Sequence, residues 1–267
     1  MILRDTIVTL KVLPRIKYDD SRFGVTVQER TKGISRYYKE EFAKFSAESE
    51  TTDYFKKKLI DSYIFKGPIL EWYLRIKLSM EKNYKSFGAL VPRQGIIVDA
   101  GCGYGFFSHI LAFTSAQRTI IGIDYDESKI EVANNTFSKP ANLTFETVNI
   151  AEYNFPQADC FIFSDILHYL TPDKVIQVLS NCLEKLQNGG KIIIRDGDTR
   201  KENHKKTKMS ELFSTQIFRF NKTENELEFF PIEELINWAQ QKGLHVDIIE
   251  KESFASNIIL VLKKQNG

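Results

Sequence analysis

The stretch Gly95-Ile-Ile-Val-Asp-Ala-Gly-Cys-Gly-Tyr-Gly-Phe-Phe-Ser-His-Ile-Leu111 constrains this chain more than any other. A short apolar run of isoleucine and valine ends in Asp99. Three glycines follow at alternate positions, Gly101, Gly103 and Gly105, and an apolar-rich helical pattern begins at once. Strand, glycine turn and helix in that order build a nucleotide site in α/β folds. Glycine reaches backbone angles that a Cβ forbids and lets a ligand come close, while the helix points its free N–H groups back at the turn. A nicotinamide fingerprint needs a third glycine where Phe106 stands. The pattern here is instead Asp-x-Gly-x-Gly-x-Gly, with a carboxylate just before the first glycine.

From Gly95 onward strand and helix patterns alternate. Strands are expected at Ile96–Asp99, Thr119–Ile123, Leu143–Val148, Asp159–Phe163 and Lys191–Arg195. The first intervening helix should run from near Tyr104 to Thr114. Asp126 is a good N-cap for a helix reaching Phe137, and Thr171-Pro172-Asp173 supplies a cap, a first-turn proline and an acidic residue for a helix to Leu186. Asn188-Gly189-Gly190 reads as that helix's C-terminal stop. Such alternation implies a parallel sheet with helices on its two faces. The rhythm then breaks. Residues 196–230 read as a polar and aromatic insertion, with a basic run at 201–208 best read as a solvated loop and extended pieces at Gln216–Phe220 and Glu226–Phe230. A helix from Pro231 to Lys242 follows. Two last strands, His245–Glu250 and Ile258–Lys263, are too close for a crossover helix, so they should pair as an antiparallel hairpin at the sheet edge. The expected fold is α/β, a Rossmann-like seven-stranded mostly parallel sheet with an antiparallel edge hairpin, over residues 95–267.

Residues 1–94 read as an N-terminal segment and helical cap. Thr6–Leu13 is a short strand candidate stopped by Pro14, and 31–87 has helical spacing, broken at Gly67-Pro68 and resumed from Ile69 to Tyr84. Its aromatics, among them Tyr37, Tyr38, Phe42, Phe45, Phe55, Tyr63, Phe65, Trp72 and Tyr73, are expected mainly to pack. Charge is divided unevenly: residues 1–94 hold 19 Lys+Arg against 12 Asp+Glu (+7), and the remainder 18 against 23 (−5). A basic front suits an anionic partner or membrane surface, with a solvated helical surface as the plainer reading. The N-terminus is interrupted by Arg4, Asp5 and Lys11, a poor signal peptide. Three cysteines without metal spacing, and four histidines in different elements, argue for a reduced, cytoplasmic protein with no metal.

The blocks Val98–Gly105, Gly122-Ile-Asp-Tyr-Asp126, Asp159–Leu170 and Leu186–Ile194 resemble, in order and spacing, the class I S-adenosylmethionine-dependent methyltransferases. That resemblance covers about residues 95–263 and implies S-adenosyl-L-methionine as cofactor. A sulfonium cation with an amino acid tail lacks a pyrophosphate and favours nearby carboxylates. The resemblance assigns cofactor contacts to Asp99 (methionine moiety), Gly101, Cys102, Gly103, Gly105, Asp124 (ribose hydroxyls), Tyr125 (adenine face), Asn149, Ile150 and Ser164. The family often has an acidic residue where Asn149 stands, whose amide oxygen also accepts a hydrogen bond. Catalytic candidates are His168, Asp165 and Asp196, at the expected substrate side. A histidine there suits removal of a proton from the acceptor, or serves as a wall residue; Asp196 suits substrate binding or deprotonation, or a turn.

A second resemblance, through Leu13-Pro-Arg-Ile, Arg22-Phe-Gly, Glu29-Arg-Thr-Lys32 and Tyr63–Tyr73, is to the junction of bacterial acyltransferase–methyltransferase fusion proteins. It implies a lipid-like acceptor and an acyltransferase-type partner, although the acyltransferase His-x4-Asp motif is absent. Methyl transfer to a small or lipid-like molecule is the leading expectation, without a nucleic acid partner. The alternatives are protein or RNA methylation, or a non-catalytic cofactor-binding partner module.

Overall fold

The computed structural model describes residues 12–17, 19–49, 55–80, 84–197, 230–249 and 257–264. The strand expected at Thr6–Leu13, the basic run at 201–208 and the two extended pieces of the insertion lie wholly or mostly outside those residues. The chain forms two compact units, Met1–Tyr54 and Phe55–Gly267. The division therefore falls about forty residues ahead of the first sheet strand, and the helices just before that strand belong to the larger unit.

In the smaller unit α1 (Val27–Ser49) starts four residues before the expected helical region. A capping box sets that start: the Glu29 amide donates to Thr26 Oγ1 at 3.2 Å and the Thr26 amide donates to Glu29 Oε2 at 2.9 Å. Two orphan donors are satisfied reciprocally, which the spacing Thr26-x-x-Glu29 encodes. Phe23 packs edge-on against Tyr37 at 5.5 Å.

The larger unit opens with α2 (Lys56–Tyr63), α3 (Pro68–Met80) and α4 (Tyr84–Leu90). Next come β1 (Gly95–Ala100), α5 (Phe106–Thr114), β2 (Arg118–Asp124), α6 (Glu127–Asn134), β3 (Leu143–Thr147), β4 (Ala158–Ser164), α7 (Pro172–Lys185), β5 (Leu186–Gly197), α8 (Ile232–Gln241), β6 (Leu244–Ile249) and β7 (Asn257–Lys264). The seven-stranded sheet has the order β3-β2-β1-β4-β5-β7-β6. β7 runs antiparallel to β5 and β6, so the last two strands do form the expected edge hairpin, with β7 inserted next to β5.

Alternation along each strand divides the core into two layers. Ile97, Ile120, Cys160 and Ile162 face a layer built from α2, α3, α4, α5 and α6. Val98, Ile123, Phe161 and Phe163 face α7 and α8. The aromatic girdle is part of the first layer: Tyr63 meets Phe106 edge-on at 4.8 Å, and Phe87 stacks on Phe107 at 5.0 Å. Pro68 takes the first position of α3, where its missing N–H costs nothing.

One expected stop differs. Helix α7 ends at Lys185 in an extended Leu186, and β5 begins there. Gly189, at φ +72°, sits inside the strand, where β4–β5 pairing shifts register between Ala158 and Cys160. The double glycine absorbs an irregularity in the ladder and does not cap the helix.

Candidate active site

A break in strand sequence at β1 and β4 creates the crevice where open α/β sheets bind ligands, outside the carboxyl ends of the strands. Two segments line it: the glycine turn after β1 and Ser164–His168 after β4. They touch, since a Cβ on Gly101 would run into the Ile166 side chain. Gly101, Gly103 and Gly105 all have positive φ (74°, 56° and 72°), so the alternation of glycines is a conformational requirement. Around Gly105 a Cβ would collide with Phe145. At Gly103 no atom lies within 4 Å of that position. Open space beside the middle glycine is the cradle that close approach of a ligand requires.

Asp99 and Asp124 are the carboxylates of this turn, and strand parity aims them at the α5 face with Ile97 and Ile120. Asp99 is buried and accepts a hydrogen bond from Ser108 Oγ at 2.5 Å. Burial raises its pKa to about 6; the Ser108 bond and the Lys77 charge oppose that rise, and Asp124 adds to it. Asp124 Oδ2 accepts from the Gly103 amide at 2.8 Å and Oδ1 from the Asp126 amide at 2.9 Å. Lys129, also buried, lies 3.9 Å from Asp126 Oδ2. Cys102 Sγ lies close to Gly122, whose missing side chain makes room chiefly for the Phe145 ring.

Tyr125 projects from the end of β2 and is about half exposed. Asn149 is exposed; its Oδ1 accepts from the Ala151 amide at 3.1 Å and its Nδ2 donates to Glu152 Oε1 at 3.1 Å. The oxygen expected to meet an adenine amino group thus already closes a local turn, with one further lone pair. Ile150 is buried behind it. Ser164 ends β4, paired in register with Arg195 of β5.

The substrate-side candidates come together across 28 residues of sequence. His168, in a 3-10 turn (Leu167–Tyr169), lies with Nδ1 2.7 Å from Asp196 Oδ1 at the end of β5. A carboxylate there holds the hydrogen on Nδ1, which makes Nε2 the basic nitrogen. Asp165 takes φ +56°, the one described non-glycine residue with positive φ. Its amide donates to the Arg195 carbonyl at 2.8 Å and its carboxylate lies 3.4 Å from the Arg195 guanidinium. Asp165 is thus an anchor between strand ends, with its charge offset by a buried arginine. Leu167, Ile194, Ile232, Leu235, Ile258 and Leu260 line a small apolar cavity against Asp196.

Sequence reading missed the support behind the turn. Tyr63, buried on α2, donates its hydroxyl to the Tyr104 carbonyl at 2.5 Å and lies 3.1 Å from His109 Nδ1. His109 Nδ1 is 2.8 Å from the Gly105 carbonyl and Nε2 is 2.8 Å from Thr136 Oγ1. Burial lowers the His109 pKa to about 4, so a neutral ring donates to Gly105 and accepts from Thr136. The only advance signal was a histidine and a tyrosine on the apolar faces of their helices.

Comparison with known proteins agrees with this arrangement. Residues 93–245 match the family model described as a methyltransferase domain. O-methyltransferase 12 of Dictyostelium discoideum is 30% identical over 124 residues, 45% of this chain and 30% of the relative. O-methyltransferase 4 of the same organism is 26% identical over 171 residues, 64% of this chain and 47% of the relative. The chain thus spans less than half the length of these relatives. The structure of human N-acetylserotonin methyltransferase in complex with SAM superposes with TM-score 0.54 at 15% identity, over 94% of this chain and 76% of that one. More than half of the sequence lies within the matched domain, and the chain belongs to the methyltransferase-domain family, the class I S-adenosylmethionine-dependent methyltransferases.

Proposed function

We propose that this chain transfers a methyl group from S-adenosylmethionine to a hydroxyl oxygen of a small molecule. The observation that carries the proposal is the His168–Asp196 pair, 2.7 Å apart at the carboxyl ends of β4 and β5, beside the glycine turn. The names of the two curated relatives, both O-methyltransferases, support oxygen as the acceptor atom. Charge within the domain that holds the site, a net −5 over residues 95–267, favours a small molecule over RNA there.

The residues fit the cofactor. Asp99 offers a buried carboxylate to its cationic amino acid end, the turn around Gly103 offers open backbone, and Asp124 keeps acceptor capacity for the ribose hydroxyls. Tyr125 and Ile150 offer apolar surface to adenine. When bound, S-adenosylmethionine supplies a methyl group already activated by its sulfonium. The protein's share is then alignment and proton management. His168 Nε2 takes the proton of the acceptor hydroxyl, and Asp196 stabilises the imidazolium that results. Arg195 holds Asp165, which fixes the segment carrying His168.

The test measures labelled methyl transfer to a panel of phenolic and aliphatic hydroxyl compounds. His168→Ala should lower turnover on any accepted compound by about 10²–10⁴-fold, with cofactor affinity by calorimetry unchanged. Unchanged turnover in that variant would remove His168 as the base.

A further inference from the structure

We propose that the turn between α2 and α3 docks on an anionic lipid surface. These helices bury Leu59, Tyr63, Leu70, Leu74 and Leu78 in the first core layer. Their outward side does the opposite. Ile64, Phe65, Ile69 and Trp72 are 40 to 70% exposed, and so is Phe137 from the segment after α6. Phe65 and Phe137 meet edge-on at 5.5 Å, so the two loops form one apolar surface, and Ile69 and Trp72 share a face of α3 by their spacing. Aromatic packing was expected of Phe65 and Trp72, and both are exposed instead, as Tyr38 and Phe42 are on α1.

Single exposed apolar residues need no explanation, but a cluster of large ones around one turn does. The charge beside it identifies the occupant. Residues 55–80 hold six Lys+Arg against two Asp+Glu; Lys77 lies toward Asp99 and Lys58 over the Phe113 ring, whereas Lys57, Lys66 and Arg75 are exposed. The two acids are engaged locally, Asp61 with Lys57 at 2.8 Å and Glu71 with Arg75 at 2.8 Å. Lys66 stands exposed within the turn itself, between Phe65 and Gly67. Tryptophan, phenylalanine and isoleucine beside lysine is the composition of an interfacial anchor: rings and branched chains enter the headgroup boundary while lysine stems extend to the phosphates. A second copy of the chain fits less well, because a two-fold contact through this surface would set the same net positive charge against itself.

None of these side chains belongs to the site described above. The test is co-sedimentation of the full chain with phosphatidylcholine vesicles, with and without phosphatidylglycerol. Partitioning should require the anionic lipid, weaken with salt, and fall at least ~10-fold in a Phe65→Ser/Trp72→Ser double variant, because loss of two inserted rings removes most of the apolar term. Lys66→Gln should fall by about 5-fold, the weight of one basic residue near the surface. Cofactor affinity should be unchanged in these variants, which separates this proposal from the methyl-transfer reading. Equal binding to neutral vesicles, or no loss in the double variant, would overturn it. So would a wild-type dimer in light scattering that the double variant converts to monomer, which would assign the surface to a second copy.

Discussion

The two ends of β2 bury opposite charges and use them differently. Arg118 opens the strand and Asp124 closes it, and neither is reached appreciably by solvent. Every donor group of Arg118 ends on the scaffold: Nε donates to the Pro92 carbonyl at 2.6 Å, one terminal nitrogen to the Leu111 carbonyl at 2.9 Å and Thr114 Oγ1 at 2.7 Å, and the other to the Val91 carbonyl at 3.1 Å. The guanidinium closes the C-terminal carbonyls of α5 and ties them to the segment after α4. Burial lowers its pKa to about 10, which leaves it charged at neutral pH. Asp124 accepts only two backbone amides in the described contacts, and a carboxylate has about four acceptor sites. One end is held at all three nitrogens by its own fold, whereas the other keeps capacity for a ligand. A buried charge with acceptor sites to spare is the better marker of function.

That contrast breaks first at Asp124. Asp124→Asn keeps the volume but removes the charge and one strong acceptor, so affinity for S-adenosylmethionine should fall by ~100-fold or more, about 3 kcal/mol for two charge-assisted hydrogen bonds. Calorimetric titration measures it, with circular dichroism verifying the fold. Unaltered affinity would remove Asp124 from the ribose role. Arg118→Met should do the reverse. It strips four hydrogen bonds from buried carbonyl and hydroxyl oxygens, a loss of about 3 kcal/mol and roughly 5–10 °C in melting temperature, while the folded protein binds cofactor as before. If Arg118→Met left the melting temperature alone, the scaffold reading of that end would be wrong.

How far these ends could be read in advance follows the same division. Asp124 was legible because it stands at a strand end, two residues before an N-cap, in a spacing tied to the glycine turn. His168 and Asp196 were legible as candidates one by one, but their pairing was not, since it depends on β4 and β5 lying side by side. Arg118 gave no signal: three of its four partners are main-chain carbonyls, at residues 91–92 and on α5, and carbonyls have no letters. Tyr63 was read as one packing aromatic among ten. Nothing local distinguishes the ring that reaches the glycine turn from Phe65, two positions on, which faces outward. The capping box at Thr26 and Glu29 is plain in the sequence, whereas aromatic periodicity alone sets the helix start four residues late.

Asp99 lets the comparison be sharpened by pH. Its folded pKa is raised from 3.8 to about 6, mainly by burial. Between those values the native state binds more protons than the unfolded chain, so ligand-free stability falls as pH rises. Above about pH 6 the full cost of ionising the buried group is present, ~3 kcal/mol at 1.36 kcal/mol per unit. Asp99→Asn should therefore raise the ligand-free melting temperature at pH 7 and leave it unchanged near pH 3.5. Cofactor binding draws on the ionised form, so wild-type affinity should weaken by up to ~10-fold per unit below pH 6. Titrations from pH 5 to pH 7.5, each value being about one half-unit apart, would show this slope in the wild type and a flat profile in the variant. A flat wild-type profile would dissociate Asp99 from the cationic end of the cofactor.

The smallest effect tests whether the support behind the turn is more than packing. Tyr63 reaches across 41 positions to the Tyr104 carbonyl, and His109 holds the next carbonyl, that of Gly105. Tyr63→Phe keeps the edge-on contact with Phe106 and deletes only the hydroxyl. It leaves one buried carbonyl short of a donor, worth about 1 kcal/mol. Because the carbonyl belongs to the turn, the loss should appear as a roughly 3–5-fold rise in KM for S-adenosylmethionine with kcat unchanged, the pattern of lost uniform binding. A fall in melting temperature with KM untouched would mean that the hydroxyl only braces the core. The predicted split would instead make α2 part of the cofactor site through one oxygen atom, placing in the binding machinery the helix that leads into the turn proposed to meet lipid.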